Sequence, residues 1–516
     1  MIPLIFTTAL NLATLAIADL RSDFSGAGIE ALFPGNAGFE GATGAYNRRF
    51  TFTPSAVAYP KSAEEVSKVV TMGGGNGMKV VARSGGHSYI ANGLGGKNGT
   101  LVVDMSNMKG LSVDSASNVA TIETGNRLGD VALGLNEKGR ALPHGTCPYV
   151  GIGGHSAFGG FGYTSRMWGL TIDTIKAVNT VLANGTSVRV TKDNHPDLFF
   201  ALRGASPSFG ITTSIEVETF PIPTYSIIFS YTWDLGIQTA SQALLDFQSF
   251  VTTNTSDQLP PELGGGLTLS KGTTQGKIGF TLLGGWYSEQ GTKLDEVLAP
   301  FLGKMPKPDN EARLGNGTYI DSVKELGGGL DTSSKADTRD TFYARSLMTP
   351  VGEPLSGDAV GRFVRYLSEE GWRSNTVRSH TRCVFPRIHM FTTVLVVVYA
   401  SQTVRWINSK VNAVPVEESA FVRRDTLFTW QLYASSSNNE PPFSEEGFTF
   451  VDGVVNSIVG DKNDYSAYTN YIDDRLDNWQ KRYYGDHYDK LKSIKSRYDP
   501  GNVFASTMSV EADGGR

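Results

Sequence analysis

Two glycine-rich segments constrain the fold of this chain more than any other feature. The first is Arg83-Ser-Gly-Gly-His-Ser-Tyr89, and the second runs from His144 to Tyr163 as HGTCPYVGIGGHSAFGGFGY. Glycine supplies 59 of the 516 residues, well above the usual ~7%. Glycines allow backbone N–H groups to turn toward a pyrophosphate and allow the chain to approach it closely. The sequence therefore predicts that the two segments form a dinucleotide site.

The remaining composition excludes several classes of protein. Neither glycine segment is a G-x-G-x-x-G loop between a strand and a helix, and no Gly-Lys-Ser/Thr occurs, which disfavours a nicotinamide dehydrogenase or an ATPase. The net charge of −5 shows no basic excess, so nucleic acid is a poor candidate partner. Two cysteines exclude a disulfide scaffold, a zinc finger and an all-cysteine iron–sulfur site.

His87 and Cys147 each lie in one of the glycine segments. Taken alone, His87 is explained as a turn histidine and Cys147 as a small buried apolar residue. Taken together they suggest a flavin, because imidazole and thiolate commonly bond to its benzenoid ring, at the 8α methyl and at C6. A metal site that adds His144 and His155 remains an alternative, although no CxxC or HxxxH spacing supports it.

The pattern along the chain changes near residue 222. Before it, short β-rich runs alternate with short helices, including a helix from Ser62 to Gly73 whose Ser62-Ala-Glu-Glu65 is a capping box. After it, longer antiparallel-looking strands begin, and residues 465–510 read as helical and charged. We expect strands at residues 79–83, 101–104, 119–123, 178–182, 187–190, 225–234 and 277–284, with a hairpin at Asn184-Gly185.

Aromatic residues are frequent in and after the longer strands. A sheet that presents aromatics suits a substrate wall, because flat apolar faces stack on sugars and other rings. Ordinary core filling is the alternative explanation, and for most of these residues the better one. The residues are Trp233, Trp286, Tyr287, Tyr319, Phe342, Tyr343, Trp430 and Tyr433.

The N-terminus indicates secretion. Met1 to Ala18 is an apolar segment of signal-peptide length that ends in Ala16-Ile17-Ala18; a buried first helix is the alternative. No other run approaches the ~20 apolar residues that span a bilayer, so we expect no membrane partner. Four Asn-x-Ser/Thr triplets favour glycosylation in the secretory pathway, at Asn98, Asn184, Asn254 and Asn316.

Nine stretches give the chain a clear resemblance to a known family. They are SGGHSY (84–89), ATIETGNRLGDVA (120–132), ALPHGTCPYVGIGGH (141–155), GGFGYTSRMWGLTID (159–173), DLFFALRGASPSFGI (197–211), YARSLMTP (343–350), RRDTLFTWQLY (423–433), AYTNYIDD (467–474) and YDPGNVF (498–504). The chain resembles fungal berberine-bridge-enzyme-like flavoproteins of the p-cresol methylhydroxylase type, especially glucooligosaccharide and chitooligosaccharide oxidases. HGTCP together with SGGHS is highly specific for FAD attached at two points.

The resemblance implies an α+β fold in which a p-cresol methylhydroxylase-type FAD-binding domain is joined to an α+β substrate domain with a large antiparallel sheet. We expect a signal peptide at 1–18, the FAD-binding domain at 19–222, the substrate domain at 223–463 and a return to the FAD domain at 464–516. It also implies that FAD is bonded through its 8α methyl to His87 and through C6 to Cys147. The other residues expected around FAD are Arg83, Ser84, Gly85, Gly86, Ser88, Gly151, Gly153, Gly154, His155, Gly160, Tyr163, Ile211 and Asn502.

The same resemblance implies a catalytic site. Tyr471 matches the tyrosine that acts as base in the oligosaccharide oxidases, and the expected substrate-pocket residues are Tyr89, Thr268, Gln431 and Tyr433. The implied reaction oxidises the C1 hydroxyl of an oligosaccharide to a 1,5-lactone and reduces O2 to H2O2, in a secreted protein that we expect to be a monomer without a bound metal. The alternatives are an FAD-linked oxidase of a fungal secondary metabolite and an inactive carbohydrate-binding relative.

One segment departs from the family pattern. Residues 373–410 occupy the place of a strand that carries Trp, Gln and Asp in the family, and its Asp partners the base. Here the segment has no Asp or Glu, six Lys or Arg residues, and the second cysteine, Cys383. Three explanations remain: a retained intron or frameshift, a genuine strand with another partner for Tyr471 such as His389, and an inactive protein.

Overall fold

The computed structural model describes residues 20–252, 259–288, 293–334, 337–373, 377–378, 395–399, 409–462 and 464–513. The segment 1–18, Asn254, Cys383 and His389, all named above, lie outside the described residues. Within the described ranges, no helix is both long enough and apolar enough to cross a membrane.

Strands make up four sheets in the described part of the chain. In chain order they are β1 (Ala31–Leu32), β2 (Ala56–Ala58), β3 (Val80–Arg83), β4 (Leu101–Asp104), β5 (Leu111–Asp114), β6 (Val119–Glu123), β7 (Arg140–Ala141), β8 (Ile175–Val181), β9 (Ser187–Val190), β10 (Ile211–Glu218), β11 (Phe220–Pro221), β12 (Tyr225–Gly236), β13 (Leu263–Lys271), β14 (Lys277–Ser288), β15 (Asn310–Gly317), β16 (Phe342–Pro350), β17 (Val377–Arg378), β18 (Leu395–Tyr399) and β19 (Thr426–Ser436).

Helices alternate with these strands. They are α1 (20–27), α2 (Phe39–Ala42), α3 (Ala63–Gly75), α4 (Leu128–Asn136), α5 (Ile152–Ala157), α6 (Ser165–Trp168), α7 (Pro196–Ala205), α8 (Ile237–Thr252), α9 (Leu294–Leu302), α10 (Tyr319–Gly327), α11 (Gly357–Arg373), α12 (Lys410–Ala413), α13 (Glu445–Val459), α14 (Trp479–Tyr484) and α15 (His487–Tyr498).

Two sheets of the N-terminal part position the glycine segments. The first has the order β1-β2-β4-β3, in which β2 and β3 both run parallel to β4. The second, β5-β6-β10-β8-β9, is antiparallel throughout. Because β3 is fully paired up to Arg83, the first glycine segment leaves the sheet from a fixed point.

The expected strands of this part are confirmed, and so is the hairpin between β8 and β9 at Gly185, where φ is +82°. The predicted helix is α3: the side chain of Ser62 accepts from Glu65 N at 3.2 Å. The carboxylate of Glu65 accepts from the backbone N–H of Lys61, so the reciprocal bond lies one residue before the helix cap. The prediction that residues 465–510 are helical is confirmed only in part, because residues 472–478 form an irregular segment between a 3-10 turn and α14.

A large antiparallel sheet dominates the rest of the chain. Its order is β15-β12-β14-β13-β18-β19-β16, with β17 paired to β19. Helices α8, α11 and α13 pack together against this sheet, and the apolar side chains between them form a continuous core that includes Phe247, Phe363 and Val454. The α+β class with a large antiparallel sheet is therefore confirmed.

The eight aromatics that could have formed a substrate wall are buried. Trp233, Trp286 and Trp430 belong to the core between the sheet and its helices. Of the eight, Tyr433 lines the large cavity described below. Core filling therefore explains these residues, because alternate positions of every strand in a covered sheet must face apolar neighbours.

Candidate functional site

A cavity of 740 Å³ brings the predicted site residues together. Its walls come from both glycine segments, from residues 337–340 before β16, from Gln431 and Tyr433 on β19, and from residues 468–472. Cofactor and ligand sites typically enclose about 300–1,000 Å³, so the cavity has the size of such a site.

The two glycine segments interlock beneath the cavity. A Cβ on Gly85 would lie 2.3 Å from the backbone nitrogen of Gly151, and a Cβ on Gly151 would lie 2.0 Å from that of Gly85. The hydroxyl of Ser84 accepts from Gly153 N at 3.3 Å and donates to the carbonyl of Thr124. These glycines are therefore required by loop–loop packing, because any side chain would separate the backbones.

Another glycine leaves room for a ligand. Gly154 lines the cavity, and a Cβ built on it meets no atom within 4 Å. Open space beside a glycine lets a pyrophosphate approach the backbone closely. The glycine cradle thus fits FAD, with His87 and Cys147 in the wall of the same cavity.

His87 is held from two sides. Its Nε2 lies 2.5 Å from Oδ2 of Asp337, and its ring stacks on Tyr46 with centroids 4.0 Å apart. The side chain of His87 is 7% exposed. Burial is the main reason that the pKa of Tyr46 is raised well above its ordinary value, so Tyr46 remains a neutral stacking partner.

Cys147 lies on the opposite glycine segment and is half-buried. It lines the cavity. The thiolate is the nucleophilic form of cysteine, so attachment of FAD at Cys147 starts from the reduced thiol.

Two further histidines of the second segment stay neutral. Burial, followed by the neighbouring His144, lowers the pKa of His155 to about 3. Burial also lowers the pKa of His144. Nε2 of His155 accepts from Gly145 N at 3.0 Å, so its proton resides on Nδ1. In the described ranges, no group of three or more His, Cys, Asp or Glu side chains could hold a metal ion.

Tyr471 lies in the cavity within a cluster of tyrosines. Its ring stacks on Tyr89 at 5.8 Å and meets Tyr468 edge-on at 5.1 Å. Gln431 donates to the hydroxyl of Tyr89 at 2.5 Å. Tyr468 is fixed in turn, because its hydroxyl accepts from the backbone N–H groups of Gly160 and Phe161 at 3.0 and 3.2 Å.

A buried carboxylate supports the wall beside β19. Asp340 accepts from the hydroxyls of Tyr433 at 2.7 Å and Ser435 at 2.5 Å. Burial is the largest of the effects that raise the pKa of Tyr433 well above its ordinary value. Tyr433 is therefore a hydrogen-bond donor that keeps its proton.

Four predicted residues do not line the cavity. Gly160 packs against Thr171, where an added Cβ would lie 2.3 Å from the hydroxyl. Ile211 belongs to the core around α3. The amide oxygen of Asn502 accepts from Ala512 N at 3.2 Å. Thr268 is buried on β13, in register with Val397 of β18 and Thr281 of β14.

The other predicted site residues all line the cavity. They are Arg83, Ser84, Gly85, Gly86, His87, Ser88, Tyr89, Cys147, Gly151, Gly153, Gly154, His155, Tyr163, Gln431, Tyr433 and Tyr471. The guanidinium of Arg83 donates to the carbonyls of Ala42 and Gly44, so this side chain ties the first glycine segment to the backbone at residues 42–44.

Sequence reasoning missed Tyr46, Asp337, Asp340 and Tyr468, which all line the cavity. Asp337 and Asp340 belong to Asp-Thr-Arg-Asp, which follows a serine-rich loop and matches no motif. Tyr468 could have been found, because it lies in the same AYTNY stretch as Tyr471, one of the stretches that carry the family resemblance.

Comparison with known proteins identifies relatives of this chain. The FAD binding domain family matches residues 54–191, and the family described as berberine and berberine like matches residues 467–511. The FAD-linked oxidoreductase dpmaF of Metarhizium anisopliae is 34% identical over 90% of this chain and 86% of its own length. The xylooligosaccharide oxidase of Thermothelomyces thermophilus is 32% identical over 90% of this chain and 89% of its own length.

A solved structure shares the whole fold. The glucooligosaccharide oxidase of Acremonium strictum superposes with a TM-score of 0.82 and 30% sequence identity, covering 95% of this chain and 98% of its own. That protein is described as carrying 6-S-cysteinyl, 8α-N1-histidyl FAD.

Proposed function

Because this chain belongs to the berberine-bridge-enzyme-like FAD-linked oxidoreductases, we propose that it is a secreted oligosaccharide oxidase that converts a reducing-end C1 hydroxyl to a 1,5-lactone. The proposal rests mainly on one observation: Tyr471, Tyr89, Gln431 and Tyr433 line the same cavity as His87. The similarity to a xylooligosaccharide oxidase and a glucooligosaccharide oxidase supports this choice of substrate.

The cofactor is FAD. We propose that His87 and Cys147 hold it covalently and that the glycine cradle around Gly154 holds its pyrophosphate. FAD, when bound, accepts a hydride from substrate carbon and passes two electrons to O2, which yields H2O2. Two covalent anchors leave the site open enough for a bulky substrate without loss of the cofactor.

Tyr471 acts as the general base in this proposal and takes the proton from the anomeric hydroxyl. A free tyrosine titrates near 10, so a base of this kind needs a charge or a hydrogen bond that favours its ionised form. The stacking of Tyr471 on Tyr89 and its edge contact with Tyr468 fix the ring, which orients the oxygen that accepts the proton.

In this proposal, the part of the cavity wall formed by β19 orients the sugar. Gln431 and Tyr433 have polar groups at the cavity surface, and sugars are bound by such groups together with flat aromatic faces. The bond from Gln431 to Tyr89 couples this wall to the base, because Tyr89 stacks on Tyr471.

Secretion is the second part of the proposal. Asn98 and Asn184 are exposed at turns, as acceptor sites for a glycan must be. Expression in a fungal host should release the protein into the medium without residues 1–18, and an N-glycosidase should lower its apparent mass. Retention in the cells would count against secretion.

A peroxide-coupled assay tests the reaction. The purified protein is supplied with cellobiose, maltose, lactose, xylobiose or chitobiose, and the same sugars are added anaerobically while the flavin absorbance is followed. We expect H2O2 and anaerobic bleaching with at least one sugar. Tyr471→Phe is the matched variant, which should stay yellow and release little H2O2. A yellow wild-type protein that no sugar bleaches would refute the proposal.

A second candidate is an FAD-linked oxidase of a fungal secondary metabolite. Its support is β18, the strand between β13 and β19, which reads Leu395-Val-Val-Val-Tyr399 and pairs Val397 with Gln431. This apolar strand belongs to the segment 373–410 that departs from the family pattern. Sequencing of the cDNA tests whether the segment is genuine, and bleaching by a less polar aromatic or polyketide substrate but not by sugars would favour this candidate.

A further inference from the structure

We propose that Asp337 is a positioning residue for covalent attachment of FAD: it holds the proton of His87 on Nε2, which leaves the lone pair of Nδ1 to bond to the flavin, in keeping with the N1-histidyl linkage of the glucooligosaccharide oxidase. The inference deepens the proposed cofactor site and rests on FAD as the cofactor. Asp337 is reached only through the fold, since it lies 250 residues after His87 in the chain.

The contact is short and specific. Oδ2 of Asp337 lies 2.5 Å from Nε2 of His87, and their side chains are 22% and 7% exposed. Nδ1 makes no hydrogen bond within the described residues. Tyr46 covers one face of the imidazole at 4.0 Å. Ring plane and ring rotation are therefore both fixed, while one nitrogen remains available toward the cavity that His87 lines.

The chemistry of the two partners decides the tautomer. A carboxylate only accepts hydrogen bonds, so an imidazole nitrogen that contacts it must carry the proton. Neutral histidine has one N–H, and with that proton on Nε2 the lone pair of Nδ1 is exposed. Carboxylates fix the tautomer of metal-binding histidines in the same way and increase the basicity of the free nitrogen.

Asp337 also acts during bond formation. When Nδ1 bonds to the 8α carbon, the imidazole gains positive charge, which an adjacent carboxylate stabilises. One C–H of the 8α methyl and the Nε2–H are lost as protons, and two electrons enter the isoalloxazine. Molecular oxygen takes up the two electrons and two protons as H2O2. Oxidised FAD then remains, linked by one new N–C bond.

The wild-type protein tests the choice of nitrogen. Proteolysis of acid-precipitated holoprotein releases a histidyl-flavin from the His87 peptide, and chromatography against synthetic Nδ1 and Nε2 isomers identifies it. We expect the Nδ1 isomer. The Nε2 isomer would overturn the inference, because Asp337 occupies that nitrogen.

Substitution tests the role of the carboxylate. Asp337→Asn keeps an acceptor without the charge, and Asp337→Ala removes both. Asp331→Asn is the matched control, since Asp331 lies in the same segment but is exposed and bonds to Ser333. Holoprotein is sampled during expression and storage with FAD in air, and mass spectrometry measures the flavin on the His87 and Cys147 peptides separately.

We expect attachment at His87 to be slowed at least tenfold in Asp337→Ala and by a smaller factor in Asp337→Asn. The control should match wild type, and total bound FAD and attachment at Cys147 should stay unchanged. Unaltered attachment at His87 in Asp337→Ala would overturn the inference, and so would equal loss at both residues, which would indicate a general structural effect. Sugar oxidation is a separate readout, so failure of the proposed substrate leaves this result interpretable.

Discussion

The buried ion pair between Asp173 and Arg424 joins the loop after the second glycine segment to the chain that enters β19. Arg424 donates to both carboxylate oxygens of Asp173, at 2.7 and 2.9 Å, and both side chains are 7% exposed. Arg424 also donates to the hydroxyl of Ser419 at 3.1 Å. Asp173→Asn keeps the shape of the side chain and removes its charge.

We expect Asp173→Asn to lower the free energy of unfolding strongly, because Arg424 stays buried without its partner. Removal of one partner from a buried pair typically costs about 3–5 kcal/mol, since it leaves an uncompensated charge. An exposed ion pair nearby serves as the control: Nζ of Lys176 lies 2.6 Å from Oε2 of Glu218, and the two side chains are 53% and 49% exposed. Exposed pairs contribute about 0–1 kcal/mol, so Glu218→Gln should have almost no effect.

Urea unfolding followed by tryptophan fluorescence measures both variants at the same pH and flavin content. We expect the free energy of unfolding to fall by about 3 kcal/mol or more in Asp173→Asn and by less than about 1 kcal/mol in Glu218→Gln. The double variant Asp173→Asn with Arg424→Met removes the stranded cation. It should be less destabilised than the sum of the single changes by at least about 1 kcal/mol.

The reasoning would be refuted by equal effects of Asp173→Asn and Glu218→Gln. It would also be refuted by strict additivity in the double variant, because two charges that interact directly must show a coupling energy.

Gly85→Ala should destabilise the protein by about 1–3 kcal/mol and lower its flavin content, because the added Cβ would lie 2.3 Å from the backbone of Gly151. The control is Gly75→Ala, where a Cβ meets no atom within 4 Å, and this variant should bind flavin normally. His155 has a folded pKa of about 3, below its ordinary value near 6.5, so the unfolded chain binds the proton first and stability is lost as pH falls. Between pH 6.5 and 4.5 we expect His155→Gln to lose about 2 kcal/mol less than wild type in urea unfolding. Tyr471→Phe should lower kcat about 10²–10⁴-fold while the absorbance of bound flavin is unchanged.

Each of these three predictions has an outcome that contradicts it. Wild-type stability and flavin content in Gly85→Ala would mean that the two loops separate without cost. Parallel pH profiles for wild type and His155→Gln would mean that this histidine is protonated equally in both states. Undiminished turnover by Tyr471→Phe would exclude the tyrosine as base.

Local features of the site could be predicted because local sequence causes them. The glycines at 85 and 151 permit a backbone approach that no other residue allows, and the Ser62 cap of α3 depends on residues three positions apart. His87 and Cys147 were identified since each lies inside such a glycine segment.

The remaining site residues and the roles of the strand aromatics were decided by the tertiary structure, because they depend on contacts between distant parts of the chain. Asp337 and Asp340 have ordinary sequence surroundings and become site residues only where the segment before β16 meets His87 and Tyr433. Whether an aromatic on a strand fills the core or faces a ligand depends on what covers the sheet, and helices α8, α11 and α13 cover it here. Burial then sets the chemistry, as it does when it keeps His155 neutral, and burial is a property of the packed molecule.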